Sequence, residues 1–212
     1  MLSIEMAGEP KRKRGRPSEG AREAILEATL QLLGEEGLAR LTTREVARRA
    51  GVSEASIFYH FGDRTGLVQA ALEAGLEPLR EFALGLADRA GSGDLQQTLG
   101  EAALRWERFF DQVLPLIGTA QADAEVGAGF RDYLRAHGYG AHIGVDLLGG
   151  YLESEQKLGR VRADVDARAS ASLLIGGSFL RALQRAMVGP QGTARLPSRE
   201  RMVAALVGML GA

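Results

Sequence analysis

The chain has 212 residues, 45% hydrophobic and 25% charged, the ordinary balance of a globular protein of one or two domains and not of a disordered or fibrous chain. It contains no cysteine, which excludes disulfide scaffolds, thiol catalysis, zinc fingers and iron–sulfur sites; with only three histidines (His60, His137, His142), no metal or cofactor is expected. The net charge is −1, yet five positive charges and no negative one fall between Pro10 and Pro17, while Thr65 onward carries 15 positive and 17 negative charges, so basic character is concentrated at the amino-terminal end.

The longest uncharged stretch, Ala169 to Leu180, has 12 residues, short of the ~18 that span a bilayer. The first residues turn basic without an apolar run, unlike a secretory signal. No membrane association and a cytoplasmic address are expected.

Strand signals are almost absent, and the pattern predicts an all-α protein. Residues 1–17 read as a basic disordered arm. The first helix, Glu19 to Glu36, carries Ile25, Leu26, Thr29, Leu32 and Leu33 on one face, with Ser18 able to cap its start and Gly37 its end. The next segment opens on a capping box: the Thr42 hydroxyl can accept from the Glu45 amide while the Glu45 carboxylate reaches back, and Leu41 and Val46 form a hydrophobic staple. This helix stops at Gly51. A third helix follows at once, capped by Ser53 and stapled by Val52 and Ile57, and runs to Gly62; Asp63 caps a fourth. Two short helices joined by Gly51-Val52-Ser53 must cross steeply, which is the helix-turn-helix arrangement.

On the third helix Ile57 and Phe61 share the inner face, while Ala55, Ser56 and Tyr59 lie opposite with Phe58 at the flank. Small, hydroxylic and aromatic side chains near a helix start suit a DNA major groove: Ala55 and Phe58 can meet thymine methyls, and Ser56, Tyr59 and His60 can bond to phosphate or base. Thr43 and Arg44, in the preceding helix, can reach the backbone or a guanine.

The run LTTREVARRAGVSEASIFYHF (residues 41–61), followed by Asp63, Arg64 and Leu67, resembles the DNA-binding signature of tetracycline-repressor (TetR) family regulators, over about a quarter of the chain. The resemblance implies a homodimer of all-helical subunits, each with an amino-terminal three-helix DNA-reading domain (18–63) and a larger effector-binding and dimerisation domain (64–212). A small ligand is then expected to change the distance between the two reading heads. The family's DNA contacts fall here on Thr43, Arg44, Ser53, Ala55, Ser56, Phe58, Tyr59, His60 and Arg64. Phe58 stands where the family often has Tyr, and Arg64 replaces the common Lys. The segment Arg14-Gly15-Arg16-Pro17 resembles an AT-hook core, so Arg14 and Arg16 are expected in an A·T minor groove.

In the larger domain, Leu95 to Val113 reads as a helix ended by Pro115, with Trp106, Phe109 and Phe110 on its apolar stripe. These rings are either plain core or, with Phe130 and Tyr133, the lining of a cavity for a largely apolar effector, with His137 or His142 as polar anchors. Two further helices, Tyr139 to Leu158 and Asp166 to Met187, flank a connection (159–165) that also resembles the family. The second is apolar nearly all round and should be covered on two sides, once by its own domain and once by a partner subunit. Leu147, Tyr151, Leu173, Gly177 and Leu180 are expected at that interface, where Gly176 and Gly177 would let helices approach. Glycines inside helices (Gly66, Gly75, Gly85, Gly144, Gly149, Gly150) suggest a pliable effector domain.

The predicted function is a ligand-responsive transcriptional regulator, a repressor, binding a near-palindromic operator in double-stranded DNA. A non-specific architectural DNA binder is the alternative. An enzyme is not expected, because no nucleophile elbow, phosphate loop or zinc-protease motif is present.

Overall fold

The structure, a computed structural model, describes residues 19–36, 40–122 and 124–211, and every regular element among them is helical. In chain order these are α1 (Glu19–Glu36), α2 (Thr43–Ala50), α3 (Glu54–Phe61), α4 (Arg64–Leu84), α5 (Leu86–Arg89) and α6 (Leu95–Ala122). There follow α7 (Ala124–Ala136), α8 (Ala141–Lys157), α9 (Ala167–Val188), a 3-10 segment Pro190–Arg195 and α10 (Arg199–Leu210). Polar residues whose side chains accept an otherwise unpaired first-turn amide fix the helix starts: Thr42, Ser53, Asp63, Asp94, Asp166 and Ser198 each do so. The predicted caps of α1, Ser18 and Gly37, lie outside the described residues.

Two apolar clusters result. The first unites Ile25, Leu32, Leu41, Val46 and Ile57 with Leu67 and Leu72 from the first half of α4 and Val113 from α6. The second gathers Leu99, Trp106, Leu148, Leu152, Leu174 and Leu206 from α6, α8, α9 and α10. Phe109 and Phe110 border both clusters. Because α4 and α6 contribute to each, the amino-terminal helices are joined to the rest by packed side chains and not by a loop.

Proline 115 does not end α6, which continues to Ala122. A proline inside a helix costs ~3 kcal/mol. Here Val113 is buried in the first cluster and Ile117 lines a cavity, so packing on both sides of the break holds the helical path. Gly85 lies between α4 and α5 and not within a helix. At Gly144 a side chain is excluded: a Cβ there would lie 2.2 Å from the Trp106 ring, so this glycine seats the indole.

Glu107 of α6 is 1% exposed and gathers three guanidiniums: Arg181 (2.9 Å) and Arg185 (2.8 Å) from α9, and Arg199 (3.0 Å) from the start of α10. Arg185 also pairs with Asp111. Burial by itself raises the Glu107 pKa, but the three guanidiniums outweigh it and hold the carboxyl below its ordinary value.

Candidate nucleic-acid interface and ligand cavity

The Thr42 hydroxyl accepts from the Glu45 amide at 3.1 Å. The other half of the expected capping box is not made: the Glu45 carboxylate turns instead to Arg48 (2.5 and 2.8 Å) and Arg49 (3.3 Å). Those guanidiniums, Arg48 first, lower its pKa to about 2. Arg49 also pairs with Glu35 and Glu36 at the end of α1, so it clasps α1 to α2. Gly51 ends α2 at φ 68, the left-handed conformation that lets the chain turn into α3 at no steric cost.

Leu41, Val46 and Ile57 are fully buried, with Val52 packed against the same cluster, so both staples form beneath α2 and α3. The opposite flank of α3 faces solvent: Ala55 is exposed, Phe58 is 51% and Tyr59 72% exposed. Large aromatics in such positions forgo burial that a monomer could otherwise gain, and they form an exposed apolar patch on this flank of α3. Arg44 is exposed at the start of α2, without an ion-pair partner among the described residues. Thr43 donates to Glu54 at 2.5 Å, and the Ser53 and Ser56 hydroxyls bond each other at 2.9 Å, which fixes the first turn of α3. Arg64 is half-buried at the start of α4.

His60 departs from its expected role. Its Nε2 is enclosed without a hydrogen bond, and its ring stands edge-on to Tyr59 at 5.0 Å, so that nitrogen is not offered to DNA and the ring buttresses Tyr59. Arg14 and Arg16 lie outside the described residues.

A cavity of about 290 Å³ opens among α4, α6, α7 and α8. Trp106, Phe109, Phe110 and Phe130 line it. The two readings of these rings are compatible, because Trp106 is 9% exposed and belongs to the second core as well. Tyr133, His137 and His142 do not line it. Tyr133 donates to Glu73 on α4; burial, then this carboxylate, pushes its pKa up. His137 bonds the Tyr133 carbonyl at 2.9 Å and stacks on Tyr139, and His142 packs beside Gly140. The histidines sit around the α7–α8 junction, where local backbone contacts take them. The polar wall residues are instead Arg80 and Tyr139. Sequence reasoning misses Arg80: it interrupts the apolar face formed by Leu72, Leu76, Leu79 and Ala83 on α4, and no local signal announces that this face turns towards a cavity.

The expected subunit interface divides. Leu173 and Leu180 are 61% and 50% exposed, and with Met187 they recur every seven residues along α9, with Gly176 between the first two, as an outward stripe. Three other residues turn inward. Tyr151 is 1% exposed, inside its own subunit's core, and so cannot meet a partner. Leu147 lines the cavity. Gly177 faces α10, where a Cβ would lie 2.3 Å from the Met202 sulfur, so the close approach it permits is within the chain. The neighbouring Gly176 has open space beside it.

These features define a helix-turn-helix protein whose reading helix is seated on an apolar core and exposed on its other flank. Residues 25–71 match the family model described as bacterial regulatory proteins, tetR family. HTH-type transcriptional regulator BetI of Stenotrophomonas maltophilia is 37% identical over 73 residues, 34% of this chain and 36% of that protein. HTH-type transcriptional regulator YvkB of Bacillus subtilis is 50% identical over 48 residues, 23% of this chain and 25% of that protein. The chain thus spans little more than a third of the length of the first of these curated relatives and a quarter of the second.

Across the whole chain the fold resembles that of Salmonella enterica GusR, with TM-score 0.65, 20% identity and coverage of 95% of this chain and 100% of that one. It also resembles a transcriptional regulator from Saccharomonospora viridis in complex with choline, with TM-score 0.63, 19% identity and coverage of 92% and 97%. Residues 25–71 thus carry the helix-turn-helix domain of the TetR family, and the chain as a whole has the fold of these solved structures. No helix among the described residues is long and apolar enough to cross a membrane.

Proposed function

We propose that the protein is a ligand-responsive transcriptional repressor that binds a near-palindromic operator in double-stranded DNA as a homodimer and leaves it when a small molecule fills the cavity. The observation that carries this reading is the two-sided α3, with Ile57 buried beneath and Phe58 and Tyr59 exposed above. In the complex α3 enters the major groove, Ala55, Ser56, Phe58 and Tyr59 meet base edges and phosphates, and Arg44 and Arg64 reach the backbone. Arg14 and Arg16, on the arm 1–17, enter the adjacent minor groove. The protein acts in the cytoplasm, with residues 18–63 as the reading domain and 64–212 as the effector and dimer domain.

The coupling runs through α4. Its first half packs under α3, its second half walls the cavity, and Tyr133 of α7 grips its Glu73. A ligand that favours one placement of α4 therefore biases the distance between two reading helices, and a tenfold loss of operator affinity needs ~1.4 kcal/mol of differential binding.

Selection from a random duplex pool tests the reading. The recovered sites should be near-palindromic, with half-sites separated by ~10 base pairs, and should be preferred over random duplex by ~10³-fold or more at ~0.15 M salt. Recovery of unrelated sequences would favour an architectural binder instead.

The stripe on α9 supports the dimer. Leu180→Glu places a charge on it, and sedimentation should show the variant as a monomer at concentrations where the parent is a dimer. An unchanged dimer would remove this face from the interface.

A further inference from the structure

The cavity wall also constrains the chemistry of what fills it. Of the described residues that line it, Arg80 alone carries a charge, and with its side chain 60% exposed it lies where the cavity meets solvent. Arg80 commits Nε and Nη2 to the two Glu77 carboxylate oxygens at 3.1 and 3.0 Å, leaving Nη1 without a hydrogen bond among the described residues. A guanidinium donor at the rim of an apolar cavity favours a carboxylate, whose two oxygens accept in its plane, and opposes a cation.

The aromatic wall constrains the rest of the ligand. Trp106, Phe109 and Phe110 lie 5.3 to 5.9 Å apart centroid to centroid. Packed on one another, they form one continuous apolar wall that suits a hydrocarbon or aryl body. The volume of about 290 Å³ holds on the order of ten non-hydrogen atoms at ~30 Å³ each.

We propose that the effector is an amphipathic monocarboxylic acid of about ten non-hydrogen atoms, its carboxylate on Arg80 and its hydrocarbon or aryl body against Trp106, Phe109 and Phe110. This rests on the cavity being the effector site. Glu77 competes for the same guanidinium, so the ligand carboxylate displaces or shares that pair, and removal of Glu77 strengthens acid binding.

Trp106 is the sole tryptophan of the chain, so its fluorescence reports occupancy of the cavity whether or not DNA is present. Octanoate, octan-1-ol and octyltrimethylammonium each have an eight-carbon chain, counting the carboxylate carbon of the first, and differ in charge. Octanoate should bind at least about tenfold tighter than either of the others, and affinity should rise about fourfold for each methylene added from hexanoate to octanoate. Arg80→Met should abolish the advantage over octanol, and Glu77→Gln should increase octanoate affinity severalfold; both sites are exposed, and unchanged urea midpoints verify the fold. Equal binding of octanoate and octanol, tighter binding of the ammonium, indifference to Arg80→Met, or no response to any probe would each overturn the proposal. Release of the selected duplex is measured separately: octanoate that binds through Arg80 without releasing DNA would leave the ligand class standing and remove the effector reading.

Discussion

Replacing Glu107 with alanine lowers stability by about 3 kcal/mol, the scale for removing one partner of a buried ion pair. The carboxylate is enclosed, and the Arg181, Arg185 and Arg199 side chains around it are only 12%, 23% and 25% exposed. Its loss leaves three partly desolvated positive charges with Asp111 as their remaining acidic partner in the group. At ~2–4 °C per kcal/mol for a chain of this size, the thermal midpoint falls on the order of 10 °C. Calorimetry checks this, and a midpoint within about 1 °C of the parent would show the cluster to be energetically idle.

The same group sets an acid limit. Its folded pKa lies below the unfolded value, so the unfolded state binds the proton more readily. The stabilisation is fully present above the ordinary glutamate value of about 4.3 and is lost as pH falls through the folded value. The parent should therefore lose stability on acidification below about pH 4.3 more steeply than Glu107→Gln, which has no such proton to take up.

Arg44→Ala and Tyr59→Ala should each weaken binding to the selected duplex by about 1–3 kcal/mol, roughly 5- to 150-fold. Both side chains are exposed, and Tyr59 touches the protein chiefly through the His60 ring. Their removal should leave the urea midpoint within about 0.5 kcal/mol of the parent. A competition gel shift with specific and random duplex separates the roles. Loss at Arg44 alone on both duplexes would mean a phosphate contact, whereas loss confined to the specific duplex means base reading. Retained affinity in both variants would overturn the contact assignment.

The helices and their junctions were readable because the signals are local. Caps such as Thr42, Ser53, Asp63 and Asp166 act within three residues, and the inner and outer faces of α3 follow from helical periodicity alone. Features that depend on distant pairing were not readable. Nothing near Glu107 in sequence announces Arg199, 92 residues away, and nothing near Gly177 announces Met202. Periodicity identified an apolar α8 stripe but not its partner, which is why Tyr151 was expected outside and is found inside. Pro115 was a strong local stop signal overruled by packing on both sides. In the cavity the aromatic members were evident from composition, whereas Arg80 required knowing which face of α4 turns inward.

Protein hydroxyl-radical footprinting, read by mass spectrometry with and without the selected duplex, observes the proposed contact in the unmutated chain. Bound DNA should shield Phe58 and Tyr59 from oxidation while Leu173 and Met187 react at unchanged rates. Equal oxidation of Phe58 and Tyr59 in free and fully bound protein would mean that the duplex lies elsewhere.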